Sequence, residues 1–137
     1  MQVTSAMSTT PPPTDAGAAE PQRRSTCPVA CSLDVVGDRW TLLVVRDLIG
    51  GKRRFGEFLE SAEHIPTNIL ADRLKRLQSE GLVDAVPYSH RPKRFEYYLN
   101  KEGRALGRAV SALSDWGLRH FPGTKRASWA VTLRDED

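Results

Sequence analysis

The chain has 137 residues, long enough for one domain with its own core and too short for two. Its formal net charge is only +3, but nine Lys and Arg residues fall between Lys52 and Arg94, a clustering typical of surfaces that meet nucleic acid. There is no apolar run near the roughly 20 residues of a membrane span and no secretory signal pattern. The two cysteines are too few for a disulfide framework or a zinc site. We therefore predict a soluble cytoplasmic protein without membrane contact, metal or cofactor.

The two ends of the chain differ in composition from its middle. Residues 1–26 are rich in Thr, Ser, Ala and Pro and have almost nothing to bury, which predicts a disordered N-terminal tail. An ordered domain is predicted over residues 27–121. A loosely held tail is predicted over residues 122–137, where alternate apolar residues from Trp129 to Leu133 could form a strand-like anchor.

Two helices are predicted at the start of the domain. The first spans 28–36, because Pro28 suits a first helical turn and Gly37 ends the apolar spacing. Asp38 is a suitable cap for the second helix, residues 40–49. That helix is apolar nearly all round and is therefore expected at the centre of the domain.

A helix-turn-helix is predicted next. Residues 52–55 are assigned to a short strand and residues 55–62 to a short third helix. After a turn at His64 and Ile65, a fourth helix is predicted to begin at Pro66 and to end near Glu80, before Gly81. A short helix joined by a tight turn to a longer one is the arrangement that places a recognition helix in a DNA groove.

The fourth helix has the polarity expected of a recognition helix. Leu70, Leu74 and Leu77 share one face, which should pack on the domain. Thr67 and Asn68, at its N-terminal end, are compact hydrogen-bonding residues suited to reading base edges. An ordinary solvent-facing polar surface is the alternative interpretation.

The charged residues of this helix are assigned separately. Lys75 and Arg76 are better placed for phosphates than for bases, and Asp72 is expected to pair with Arg76 at i+4 rather than to accept from cytosine. Arg73 lies at the flank of the helix. At this position it could either contact a phosphate or form an internal salt bridge.

A basic hairpin is predicted after the recognition helix. Residues 82–88 are predicted to form one strand, and residues 94–99, in which polar and apolar side chains alternate, are predicted to form a second. A loop at 89–92 joins them. The charge of this wing suits contact with the phosphate backbone or the minor groove, whereas a charged tip that only keeps the chain soluble is the alternative. The DNA-contacting residues predicted here are Arg91, Lys93 and Arg94. The sequence thus predicts a mainly α fold with a small β-hairpin (α+β), a winged helix-turn-helix.

One long last helix is predicted to complete the domain. Asn100 is expected to cap it, and Pro122 and Gly123 follow its end. Its apolar stripe consists of Leu106, Val110, Leu113, Trp116 or Gly117, and Phe121. This stripe and the first helix supply more apolar surface than a small domain needs to cover itself.

Several blocks of the sequence, in order, resemble the HxlR-type winged helix-turn-helix transcriptional regulators of bacteria, which are relatives of the MarR regulators. The blocks are Cys27-Pro28, Gly37 with residues 40–43, Arg54-Phe55, Ile69-Leu70 with Arg73-Leu74, residues 80–82, and Glu96-Tyr97 with Leu99. A chain of blocks in this order is a more specific signal than any single motif. The resemblance runs from Cys27 to about Phe121.

The resemblance implies a homodimer formed through the first and last helices. Two recognition helices would then meet a pseudo-palindromic operator in double-stranded DNA, with half-sites ~34–36 Å apart. Many members carry Ser where Pro66 stands. Proline preserves the helix start but removes a backbone N–H that could meet a phosphate.

Cys27 matches a cysteine that some members of this family use to sense oxidants or electrophiles. A thiol at a helix N-terminus, with Arg23 and Arg24 near in sequence, would have its thiolate favoured. A small buried residue at a dimer interface is the alternative. Cys31 is expected in the core and could not bridge to Cys27 across a regular helix. Whether an oxidant or a small molecule is the effector stays open.

The residues that could take part in catalysis do not favour an enzyme. His64, His90 and His120 fall in a turn, a wing and a helix end, with no nucleophile or carboxylate at a meaningful spacing. The Gly50-Gly51-Lys52 run lacks the spacing of a phosphate-binding loop. The remaining alternative is a winged helix used for protein–protein contact without specific DNA binding.

Overall fold

The structure is a computed structural model that describes residues 23–126. Residues 1–22 of the predicted N-terminal tail lie outside the described residues. So do residues 127–137 of the predicted C-terminal tail, which include the strand-like anchor predicted at Trp129–Leu133. Within the described range, no helix is long and apolar enough to cross a membrane.

Helices and one antiparallel hairpin make up the described part of the chain. In chain order they are α1 Pro28–Val36, α2 Thr41–Ile49, α3 Phe55–Leu59, α4 Thr67–Ser79, β1 Val83–His90, β2 Lys93–Leu99, α5 Lys101–Ala105 and α6 Gly107–His120. This confirms the predicted α+β class and the order of a helix-turn-helix followed by a wing. The first helix has the bounds that its apolar spacing predicts.

The contacts of the chain divide it into two units, and the division falls inside α1, after Cys31. In the first unit, the Cys31 N–H donates to the Cys27 carbonyl (3.0 Å) and Cys31 Sγ donates to the Ser25 carbonyl (3.2 Å). Cys27 is exposed and Cys31 is half-buried. The expectation that Cys31 is a core residue is therefore wrong, since it is not a member of the hydrophobic core.

The second unit holds the hydrophobic core, and α2 and α4 supply most of it. Its members are Val44, Val45, Leu48, Phe58, Ile65, Leu70, Leu74, Leu77, Val83, Leu99 and Val110. The central position predicted for α2 is confirmed, since Val45 is completely buried. The three leucines predicted to hold the recognition helix are also confirmed as buried, and truncating any one of them to Ala would cost about 2–5 kcal/mol.

Helix α4 begins one residue later than predicted. Pro66 is not the first helical residue but the N-cap, with extended backbone (φ −63°, ψ 145°). The first helical hydrogen bond runs from the Leu70 N–H to the Pro66 carbonyl (2.9 Å). The N–H that proline lacks therefore precedes the helix, so the N–H groups of the first turn of α4 are unaffected.

Three other helices are shorter than predicted. Helix α2 begins at Thr41 rather than at residue 40, because Trp40 is its N-cap. Helix α3 ends at Leu59 rather than at Ala62, because the chain turns tightly there and Ser61 N–H donates to the Phe58 carbonyl (3.3 Å). The long last helix is two helices, α5 and α6, which meet at Leu106. Asn100 caps α5 as predicted, since its side chain accepts from the Gly103 N–H (2.9 Å).

The wing is a regular antiparallel pair with a shorter loop than predicted. Val83 pairs with Leu99 at one end and His90 with Lys93 at the other, with an irregularity between Pro87 and Ser89. Ser89 and His90 are thus strand residues, and only residues 91–92 form the turn. The short strand predicted at 52–55 is reduced to a single bridge between Arg54 and Glu96.

Gly103 generates a prediction about packing between α5 and β1. A Cβ at this position would lie 2.1 Å from the Leu82 carbonyl oxygen and 2.8 Å from Leu99 Cδ2. We expect Gly103→Ala to lower the free energy of unfolding by about 1–3 kcal/mol, since the backbone of Leu82 cannot yield as a flexible side chain would. Urea denaturation measures the change.

Gly56→Ala is the matched control, because a Cβ at Gly56 would meet nothing within 4 Å. This helical position should tolerate alanine or gain up to about 1 kcal/mol. Equal unfolding free energies for the two variants would contradict the close approach at Gly103.

Candidate nucleic-acid interface

The exposed face of α4 is one stripe along the helix. Its members are Thr67, Asn68, Ala71, Asp72, Lys75, Gln78 and Ser79, and all seven are exposed. They follow the spacing i, i+1, i+4, i+5, i+8, i+11, i+12, which lies opposite the buried leucines. The predicted base-reading residues Thr67 and Asn68 and the predicted phosphate contact Lys75 therefore share one accessible surface.

Arg73 and Arg76 lie beside this stripe and contact residues at the start of α2 and the end of α1. Arg73 Nε donates to Asp38 Oδ1 (3.0 Å), and its Nη1 also contacts Asp72. Of the two roles left open for Arg73, the internal salt bridge is the one observed. The predicted pairing of Asp72 with Arg76 is wrong, because Arg76 Nη2 donates instead to the Asp34 carbonyl (2.6 Å) at the end of α1.

Asp38 joins the start of α2 to the recognition helix. Its Oδ1 accepts from the backbone N–H groups of Trp40 (2.8 Å) and Thr41 (3.0 Å), which confirms its predicted capping role. Burial alone would raise the pKa of this carboxyl. Hydrogen bonds from the Thr41 hydroxyl, the Trp40 N–H and the Arg73 guanidinium outweigh burial and hold the pKa well below its usual range.

A second polar network fixes the turn between α3 and α4. Arg46 of α2 donates to both carboxylate oxygens of Glu63, at 2.9 and 2.8 Å. This pair lowers the pKa of Glu63 to about 2. Asp47 accepts from Arg46 (2.9 Å) and from the Ser61 hydroxyl (2.6 Å), and that hydroxyl accepts from Lys52 Nζ (2.5 Å). The residues leading into the recognition helix are thus tied to the central helix.

The predicted cations of the wing stand at its tip. Arg91, Lys93 and Arg94 are all exposed, and Lys93 Nζ lies 5.5 Å from the centroid of the Phe95 ring. Because the turn is only two residues long, three positive charges fall within four residues. This is a compact cationic surface suited to phosphate oxygens.

Sequence reasoning missed a cluster at the base of the wing. We name it the wing-base cluster, and its members are Arg53, Arg54, Tyr88, Glu96 and Tyr98. Arg54 Nε donates to Glu96 Oε2 (3.0 Å), and its Cζ lies 3.8 Å from the centroid of the Tyr88 ring. The Tyr98 hydroxyl donates to Glu96 Oε1 (3.0 Å), while Arg53 Cζ lies 4.8 Å from the Tyr98 centroid.

Only part of this cluster had a signal in the sequence. Strand alternation places Glu96 and Tyr98 on one face of β2. The arginines come from the segment before α3, some 40 residues earlier, and only the fold brings them to that face.

Several apolar side chains on α1, on α6 and immediately after α6 are exposed. Leu33 is 53% exposed, Leu113 54%, Trp116 50% and Phe121 51%. None of the residues of α1 is buried. A groove of about 260 Å³ between α2 and α6 is lined by Leu42, Leu43, Arg46, Val110, Leu113 and Ser114.

Comparison with known proteins relates this arrangement to bacterial regulators. Residues 35–125 match the family described as HxlR-like helix-turn-helix. Over 94 residues the chain is 44% identical to Rv3095, an HTH-type transcriptional regulator of Mycobacterium tuberculosis (strain ATCC 25618 / H37Rv), a match that covers 69% of this chain and 59% of that protein. The chain thus spans less than two thirds of that relative. YdeP of Bacillus subtilis (strain 168), another HTH-type transcriptional regulator, is 33% identical over 94 residues, covering 69% of this chain and 73% of YdeP.

Solved structures give the same relationship. The redox regulator HypR in its oxidized form superposes with a TM-score of 0.62 and 32% identity, covering 74% of this chain and 100% of HypR. In its reduced form the TM-score is 0.64, with 32% identity over 70% of this chain and 95% of HypR. With the family match spanning most of the described residues, the chain belongs to the HxlR-like helix-turn-helix family.

Proposed function

We propose that this protein is a transcriptional regulator that binds a specific, pseudo-palindromic operator in double-stranded DNA. The observation that carries the proposal is the division of α4, whose leucines are buried while its polar stripe is exposed. In the proposed complex Thr67 and Asn68 read base edges in the major groove. Lys75 and the wing cations Arg91, Lys93 and Arg94 neutralise phosphates.

Arg73 and Arg76 belong to the proposed interface in a different way. Each guanidinium has five N–H donors, and the contacts to Asp38, Asp72 and Asp34 use only some of them. The remaining N–H groups can donate to phosphates at the edge of the groove. An arginine held by an acidic partner also loses less conformational freedom when it binds.

Selection of bound fragments from a random duplex pool, followed by fluorescence anisotropy at several salt concentrations, tests the function. Asn68→Ala should relax sequence preference at one position of each half-site, at a cost of about 1–3 kcal/mol. Arg94→Ala should weaken binding to all sequences and reduce the salt slope by about 1.

Lys101→Ala is the control for the loss of one positive charge. Lys101 is exposed at the far end of β2 from the wing tip and should leave both properties unchanged. Duplex binding that lacks salt dependence, or that neither Asn68→Ala nor Arg94→Ala changes, would contradict the proposal. Such a result would favour a winged helix used for protein–protein contact.

We further propose that the protein acts as a homodimer through α1 and α6. The exposed side chains of Leu33, Leu113, Trp116 and Phe121 support this. Trp116 and Phe121 also pack against each other, with ring centroids 5.7 Å apart, and grouped apolar side chains on a surface mark association sites. A two-fold dimer presents two copies of α4 to DNA, which matches a palindromic operator with half-sites ~34–36 Å apart.

Leu113→Asp tests the proposed dimer. A carboxylate in place of this side chain should be too costly to bury between subunits, so we expect a dimer for the native protein and a monomer for the variant in sedimentation velocity. Val86→Asp places the same charge at another exposed apolar position, on the wing, and should remain dimeric. A native protein that sediments as a monomer would contradict the proposal.

We also propose that Cys27 makes the regulator responsive to oxidants. Its thiol is exposed near the start of α1, and the chain is similar to HypR, a redox regulator. Two Cys27 thiols, one from each subunit, would lose their hydrogens to an oxidant and form one intersubunit disulfide. A small-molecule effector, for which the groove between α2 and α6 is a candidate site, is the alternative.

Treatment with diamide, which takes up the two hydrogens, tests the thiol. We expect the native protein and Cys31→Ser to lose operator binding and to form a disulfide-linked dimer on a non-reducing gel. Cys27→Ser should do neither. Equal loss of binding in the native protein and Cys27→Ser would refute sensing by this residue.

A further inference from the structure

The orientation of the wing depends on contacts at its base. A hairpin of two strands is only marginally stable by itself, and the cationic tip lies several residues beyond the core positions Val83 and Leu99. Something must therefore fix the direction of the hairpin relative to the helix-turn-helix. The described residues provide such a connection immediately before α3.

The backbone of the segment before α3 pairs with the free edge of β2. The Tyr97 N–H donates to the Arg53 carbonyl (2.8 Å), and Arg54 forms a bridge with Glu96. Backbone contacts of this kind hold the middle of β2.

The Arg54 side chain contacts both strands of the hairpin. Its Nε donates to Glu96 of β2 at 3.0 Å, and its guanidinium carbon lies 3.8 Å from the centre of the Tyr88 ring of β1. A planar guanidinium can stack on an aromatic ring and donate in its own plane at the same time, which a lysine ammonium cannot do. One side chain therefore fixes both strands.

The same residue is the N-cap of α3, the first helix of the helix-turn-helix. The Glu57 carboxylate accepts from the backbone N–H groups of Arg53 (2.7 Å) and Arg54 (2.9 Å), which holds the N-cap in place. Arg54 is thus bound to α3 through its backbone and to the wing through its side chain.

We propose that Arg54 is a positioning residue that sets the wing relative to the recognition helix, so that the cationic tip can reach DNA phosphates. The inference rests on the DNA binding proposed above. It assigns a role to the Arg54-Phe55 block that the proposed DNA contacts leave unexplained.

A direct contact between Arg54 and a phosphate is the competing role, since its side chain is 51% exposed. The two roles predict opposite effects for Glu96→Ala. Removing this carboxylate frees Arg54, so a direct contact would be unchanged or strengthened. A positioning role requires the pair, and binding would weaken.

Operator affinity over a range of salt concentrations tests the inference with four variants. They are Arg54→Ala, Glu96→Ala, Arg94→Ala and the double variant Arg54→Ala with Arg94→Ala. We expect Arg54→Ala and Glu96→Ala each to weaken binding roughly tenfold, and the double variant to bind little more weakly than Arg54→Ala, because coupled residues are not additive. Asp84→Ala removes an exposed carboxylate from the same hairpin and is the control, with unchanged or tighter binding.

The outcomes separate the inference from the function on which it rests. Native binding without salt dependence would overturn DNA binding and this inference together. Normal native binding with unchanged affinity of Glu96→Ala, or with additive effects of Arg54→Ala and Arg94→Ala, would overturn the positioning role alone. Urea denaturation shows whether each variant is folded, and Glu96→Ala decides the question if Arg54→Ala is not.

Discussion

Burial of one face of α4 is the constraint on which the rest of this protein depends. Leu70, Leu74 and Leu77 lie at most 1% exposed among side chains from α2, α3 and β1. Because the side chains of a helix repeat every 3.6 residues, fixing these leucines inward fixes Thr67, Asn68 and Lys75 outward. The hydrophobic core and the proposed base-reading surface are therefore two consequences of the same packing.

Charged residues around α4 restrict the rotation and sliding of this helix that apolar packing alone would allow. Asp38 joins the start of α2 to Arg73, and Arg46 joins the middle of α2 to Glu63 in the turn before α4. Apolar contacts are not directional, whereas paired hydrogen bonds restrict rotation and sliding of a helix. The two networks thus hold α4 in one position on α2, and the Arg54 side chain connects the segment before α3 to both strands of the hairpin.

Features set by local spacing could be predicted from the sequence. These include the bounds of α1, the central position of α2, the inward leucines of α4, the Asp38 and Asn100 caps and the presence of a hairpin. The Ser61–Asp47 hydrogen bond and the close approach of Gly103 to Leu82 could not, because they form only when the fold brings separate segments together. Both partners in each case are distant in sequence.

The sequence by itself determined the fold class, the family and the face of α4 that carries the polar residues, since each follows from periodicity or from motifs in order. Tertiary structure alone decided which cations are held by carboxylates and which remain on the surface. Asp72 contacts Arg73 rather than Arg76, and Arg54 stacks on the wing, because side-chain pairing depends on the positions of neighbouring elements. Helical spacing limits which partners a side chain can reach, but the packing of α2, α3 and the hairpin around α4 decides which partner it contacts.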